Sequence, residues 1–132
     1  MAAIAERVGT SRANAYARLK ALTDSGVIRG FSARIDPRRA GLDVSTIVLV
    51  SCNQPDWRAL SAQLTALEAV EWCALVTGEY DALLLVRTPD VETLRDVVLD
   101  QIQALPGVRG TQTMFILDEL LDRPYTLPPS DG

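Results

Sequence analysis

Apolar and polar positions along this chain switch between a period near 3.6 and a period of 2, and each switch marks an element. Ala3, Ile4 and Val8 form the apolar side of a short helix that Gly9 ends. Thr10 and Ser11 supply an N-cap for a second helix, in which Ala15, Leu19 and Leu22 fall at i, i+4 and i+7 and face inward. Arg12, Asn14, Tyr16, Arg18 and Lys20 lie largely outside that stripe, and Gly26 is placed as the stop. Residues 27–36 alternate imperfectly, with Ile28, Gly30, Ser32 and Arg34 on one side and Phe31, Ala33 and Ile35 on the other. That alternation predicts a strand. Asp36-Pro37 ends it, and residues 38–41 form a short connector at a domain boundary.

The remainder alternates between strand and helix patterns. Residues 44–52 are a β-branched apolar run, and Trp57, Leu60, Leu64 and Leu67 have the spacing of an amphipathic helix. Residues 70–76 read as a strand, 77–80 as a turn and 81–88 as another strand. Val91, Leu94, Val98, Ile102 and Leu105 give a second helix, stopped by Pro106-Gly107, and 109–120 read as a fourth strand. The order β-α-β-β-α-β is the ferredoxin-like pattern. The predicted fold is therefore α+β: a helix-turn-helix at 1–26, a linking strand and connector at 27–41, and a ferredoxin-like domain at 42–122. Residues 123–132, with Pro124, Pro128 and Pro129, form an extended tail.

Charge sharpens this division. Residues 1–39 carry eight Lys and Arg against three Asp and Glu, a net +5, whereas 40–132 carry five against fourteen, a net −9. A basic segment on an acidic chain suits one end to a polyanion. The chain has no histidine. That removes the commonest general base and metal ligand, along with Ser-His and Cys-His nucleophilic pairs. No catalytic residue, metal site or cofactor is expected. Cys52 and Cys73 read as reduced thiols in buried strands. With no apolar run long enough for a membrane span and no secretory leader pattern, a cytoplasmic location is expected.

Several stretches, taken in order and spacing, resemble the Lrp/AsnC family of feast/famine transcriptional regulators. They are Ile4-Ala5-Glu6-Arg7-Val8-Gly9-Thr10-Ser11, Leu19-Lys20-Ala21-Leu22 through Gly26-Val27-Ile28, and Ile35-Asp36-Pro37 with Ala40-Gly41-Leu42. The most specific is Thr77-Gly78-Glu79-Tyr80-Asp81, followed by Leu105-Pro106-Gly107-Val108 and Thr111-Gln112-Thr113. The resemblance spans residues 2–121. It implies a further helix ahead of the helix-turn-helix, whereas this sequence opens at the second helix, so a partial DNA-binding domain is expected.

The resemblance also implies double-stranded DNA as partner. In a helix-turn-helix the second helix enters the major groove with its N-terminal residues at base edges. Ser11, Arg12, Asn14 and Ala15 occupy those positions. Arg can bond bidentately to guanine and Asn to adenine, while Arg18 and Lys20 suit phosphate and Tyr16 suits phosphate or the neighbouring helix. For the second domain the resemblance implies a homodimer assembling to a tetramer or octamer, with a small effector, an amino acid, bound near residues 77–81. Gly78 admits close approach of an α-carboxylate to backbone N–H groups, and Glu79 or Asp81 can pair with an α-ammonium. Leu75 and Tyr80 would size a side-chain pocket beside Thr77, and Gln103 can donate and accept. The structural alternative is a hairpin turn in which Asp81 caps and Tyr80 packs. Two rival classes were weighed. Sirohaem decarboxylases resemble the same architecture but use histidines, which are absent here. An oligomerising small-molecule-binding module without DNA binding would share the second domain alone.

Overall fold

The computed structural model describes residues 11–53, 57–123, 125 and 128–129. The first helix of the predicted pair, at 4–8, lies outside them. The chain divides into two compact units, 1–35 and 36–132.

In the first unit, helix α1 (Arg12–Asp24) begins at Ser11, whose Oγ accepts the Asn14 N–H at 3.2 Å. Capping by a short hydroxyl satisfies a donor that the first turn otherwise leaves unpaired. At the other end Gly26 has φ +84°, and beyond it the Ile28 N–H reaches the Leu22 carbonyl at 3.0 Å. Residues 27–36 form no strand, a correction to the alternation reading. A strand is defined by its ladder, and this segment finds no partner within its own chain. Val27, Phe31 and Ile35 are accordingly exposed.

The second unit opens with a turn at 36–41, in which the Asp36 carboxylate accepts the Arg38 N–H at 3.1 Å and Leu42 N–H bonds to the Pro37 carbonyl at 2.8 Å. It continues as β1 (Val44–Cys52), α2 (Trp57–Thr65), β2 (Val70–Leu75), β3 (Ala82–Thr88), α3 (Val91–Asp96) and β4 (Val108–Phe115). The four strands form one sheet in the order β2-β3-β1-β4, every neighbouring pair antiparallel. That is the ferredoxin-like arrangement.

Alternation places Val48 and Val50 of β1 and Ala82, Leu84 and Val86 of β3 on one buried face. Leu60 and Leu64 of α2 and Leu94 of α3 join the same core. Thr46, fully buried among them, donates its hydroxyl to the Val86 carbonyl at 3.2 Å, so its polar atom is satisfied. Trp57, predicted on the apolar stripe of α2, is exposed instead.

Helix α3 starts on an Asp90 cap, whose carboxylate accepts the Thr93 N–H at 2.7 Å, and then widens into a π-helical segment at Val97–Ile102. The buried positions Leu94, Val98 and Ile102 advance by four each time. At 3.6 residues per turn such a step drifts by about 40°. The wider turn absorbs that drift and keeps all three on the core. Strand β4 stops at Phe115, short of the predicted 120. Its partner β1 begins at Val44, so beyond Ile116, whose N–H bonds to the Ser45 carbonyl, no ladder is left to join.

Leu64 is fully buried in this core. Leu64→Ala should lower stability by about 2–5 kcal/mol, read as a shifted urea midpoint with an unchanged slope.

Candidate DNA-binding helix and effector site

Each unit carries one candidate site. On α1, Arg12, Asn14, Tyr16, Arg18 and Lys20 are exposed, as their positions outside the apolar stripe predict. Ala15 is 5% exposed and faces inward with half-buried Leu19, which corrects its assignment as a base contact. The helical repeat decides the matter: a residue four before Leu19 shares its face. Ser11 serves the backbone as N-cap through its hydroxyl. Lys20 Nζ pairs with Asp24 at 2.8 Å, both strongly exposed, so little free energy holds it there. The face therefore presents Arg12 and Asn14 in its first turn, with Arg18 and Lys20 further along.

In the second unit the loop between β2 and β3 is tied down by Asp81. Its N–H donates to the Val50 carbonyl at 2.9 Å, its carbonyl accepts the Val76 N–H at 3.0 Å, and its carboxylate accepts the Cys52 N–H at 2.7 Å. Three bonds commit Asp81 to the end of β1. Glu79 is exposed and makes no ion pair among the described residues. Gly78 has φ +118°, a conformation that L side chains rarely adopt, although open space surrounds the place of a Cβ. Thr77 beside it is exposed.

A cavity of about 100 Å³ lies against this loop, lined by Cys52, Trp57, Leu60, Leu75, Asp81 and Ala82. Of the predicted effector residues it gathers Leu75 and Asp81. Tyr80 and Gln103 do not line it. Both are anchored instead to β4: the Tyr80 hydroxyl donates to Gln112 Oε1 at 2.5 Å, and Gln103 Nε2 donates to Thr111 Oγ1 at 2.8 Å. Thr111 and Gln112 were visible in the sequence as part of a polar triplet in a strand, but alternation alone carries no sign of what they hold.

The two thiols are unpaired and half-buried. Burial pushes the Cys52 thiol up, the Asp81 carboxylate adds to that, and Arg109 opposes it. Burial alone raises Cys73. Elsewhere on the sheet, the Arg87 guanidinium is almost covered and meets Glu119 at 2.7 Å, Ser45 Oγ at 2.7 Å and Glu71 at 3.1 Å. Its burial works against ionisation, and the two carboxylates outweigh it, so its pKa lies above the ordinary guanidinium value. Among the described residues no three His, Cys, Asp or Glu side chains stand together as metal ligands.

A family model described as Lrp/AsnC ligand binding domain matches residues 45–126, and one described as winged helix-turn-helix DNA-binding matches residues 1–29. The proline dehydrogenase transcriptional activator of Rhizobium radiobacter is 34% identical over 120 residues, which are 89% of this chain and 77% of that protein. A feast or famine regulatory protein from M. tuberculosis, solved with L-methionine, is similar with TM-score 0.81 and 34% identity, covering 95% of this chain and 84% of its own. A transcriptional regulator of Neisseria meningitidis, in complex with L-methionine, gives TM-score 0.83 and 31% identity over 94% and 81% of the two chains.

Removing the Asp81 charge should bring the Cys52 thiol back toward its ordinary value. In Asp81→Asn at about pH 8 more thiolate forms, so alkylation of Cys52 should quicken relative to Cys73, measured by mass spectrometry as the ratio of the two labelled peptides.

Proposed function

The chain belongs to the Lrp/AsnC family of transcriptional regulators, and on that premise we propose which of its residues read DNA and which meet an effector. The exposed first turn of α1 carries the reading. Arg12 and Asn14 face outward there while Ala15 turns inward, so two side chains able to bond base edges bidentately stand at the end of the helix that enters the major groove. Arg18 and Lys20 hold phosphates, with Tyr16 at the flank. The net +5 of residues 1–39 supplies affinity that falls steeply with salt.

The protein acts as a homodimer that assembles further, so two recognition helices address half-sites about one helical turn apart. Segments 27–36 and the outer faces of the sheets make the dimer contacts. The support is the exposed Phe31 and Ile35 in a segment without a ladder, and the half-buried Ile47, Leu49, Leu83 and Leu85 on the side of the sheet away from the helices. Work on DNA places the protein in the cytoplasm. Among the described residues no helix is long and apolar enough to cross a membrane.

An amino acid binds at the loop between β2 and β3 and shifts the population competent for DNA. Backbone N–H groups around Thr77 and Gly78 take its carboxylate. Glu79 takes its ammonium, since Asp81 is committed to Cys52 and Val50. The apolar wall at Leu75 and Trp57 receives its side chain. Two relatives at 31% and 34% identity were solved with L-methionine, which supports an amino acid as the ligand class. The protein acts by binding, with no catalytic step.

Arg12→Ala should relax sequence preference at a matched operator by about 1–3 kcal/mol, read from competition footprinting on the promoter upstream of its own coding sequence. An unchanged footprint removes Arg12 from base reading. Gly78→Val, strained by its positive φ, should abolish the amino-acid effect on DNA retention while light scattering shows the assembly intact. A retained response moves the effector elsewhere.

A further inference from the structure

Two polar side chains of the proposed effector site are already occupied, and by adjacent residues of one strand. Tyrosine has a single O–H donor. Here it is spent on Gln112 Oε1 at 2.5 Å. One amide N–H of Gln103 is spent on Thr111 Oγ1 at 2.8 Å. The π-helical turn that delivers Gln103 closes with its own N–H on the Val98 carbonyl at 2.8 Å. Such turns occur mostly where function needs a side chain re-aimed.

We propose that Gln112 and Thr111 are positioning residues that latch Tyr80 and Gln103 in the unliganded protein, and that an amino-acid effector binds in competition with this latch. The proposal rests on the effector reading above and adds to it the groups the ligand must displace.

The geometry favours side-chain switching over movement of the loop. Asp81, next to Tyr80, is pinned to β1 by Val50 and Cys52, so the backbone holds its place while the Tyr80 ring exchanges partners. Release is felt at the edge of the sheet. Gln112 pairs with Leu49 and Thr111 with Val50, the residue whose carbonyl receives the Asp81 N–H. Loop, β1, β4 and the π-helical segment thus form a closed circuit of bonds. A ligand that engages only the unlatched form binds with an affinity reduced by the scarcity of that form. Removing the latch acceptor should therefore tighten binding.

The test is calorimetry of L-methionine and L-leucine on the full chain and on Gln112→Leu, Gln112→Glu and Tyr80→Phe. Gln112 is exposed on an edge strand, so its replacement leaves the core untouched. Gln112→Leu should bind about three- to tenfold tighter, the ratio that one neutral hydrogen bond commands. Gln112→Glu keeps an acceptor for the phenol and should bind no tighter than the parent. Tyr80→Phe loses latch and ligand donor together and should show no gain either. A merely structural Gln112 moves affinity the opposite way, because a loosened site binds more weakly. Equal or weaker binding by Gln112→Leu, with the parent binding normally, overturns the latch and leaves the effector reading standing. No heat with either amino acid on any of the four proteins overturns both.

Discussion

Strand β1 is hydrogen-bonded along both sides, to β3 and to β4, so the alternation of inward Thr46, Val48 and Val50 with outward Ser45, Ile47 and Leu49 dictates the face of every neighbour. A slip of one residue would turn two valines and a threonine out of the core and bring the opposite set in. The helices have no independent claim on their positions. They are held by the apolar surface that β1 and β3 jointly present. The candidate effector site follows from the same constraint, because it lies where β1 runs out: Val50 and Cys52 still offer a carbonyl and an amide, and Asp81 takes both.

That placement explains a division of labour within a short motif. Of the residues 77–81, Gly78 permits the turn, Asp81 fastens it to the sheet, Tyr80 reaches across to β4, and Glu79 alone projects a carboxylate with no internal duty. Structural and binding roles, posed as rivals when only the sequence is read, are distributed among neighbours. The recognition helix shows a similar economy. Ser11 starts it, Ala15 seats it, and the polar groups between them are left outward.

Much of the second unit was legible because burial there is decided within one chain. The run at 44–52 became β1 with the predicted bounds, and the two βα-type halves fell where the changes of period placed them. Legibility failed wherever a partner decides the outcome. Residues 27–36 alternate as a strand should, yet alternation describes side chains and says nothing about where the backbone finds its ladder. The same reason shortened β4, since 116–120 keep their apolar character after β1 has ended. Ala15 satisfied two patterns at once, the inward stripe and the base-reading position, and only measured exposure separates them. Gln112 was hidden for a different reason. A polar residue on an edge strand looks solvated until the residue that crosses to meet it, 32 positions away, is seen.

The sheet has two open edges, β2 and β4, and neither ladder runs evenly. The register of β2 on β3 shifts between Val70 and Trp72, and that of β4 against β1 shifts at Ser51 and Cys52. Bulges of this kind add twist and interrupt the row of donors and acceptors that an incoming strand would need. Extension of the sheet from molecule to molecule, the route to fibrous aggregates, is therefore obstructed at both ends. A protein that must gather into closed rings of copies without running on into filaments has its growth directions limited by two local irregularities of backbone.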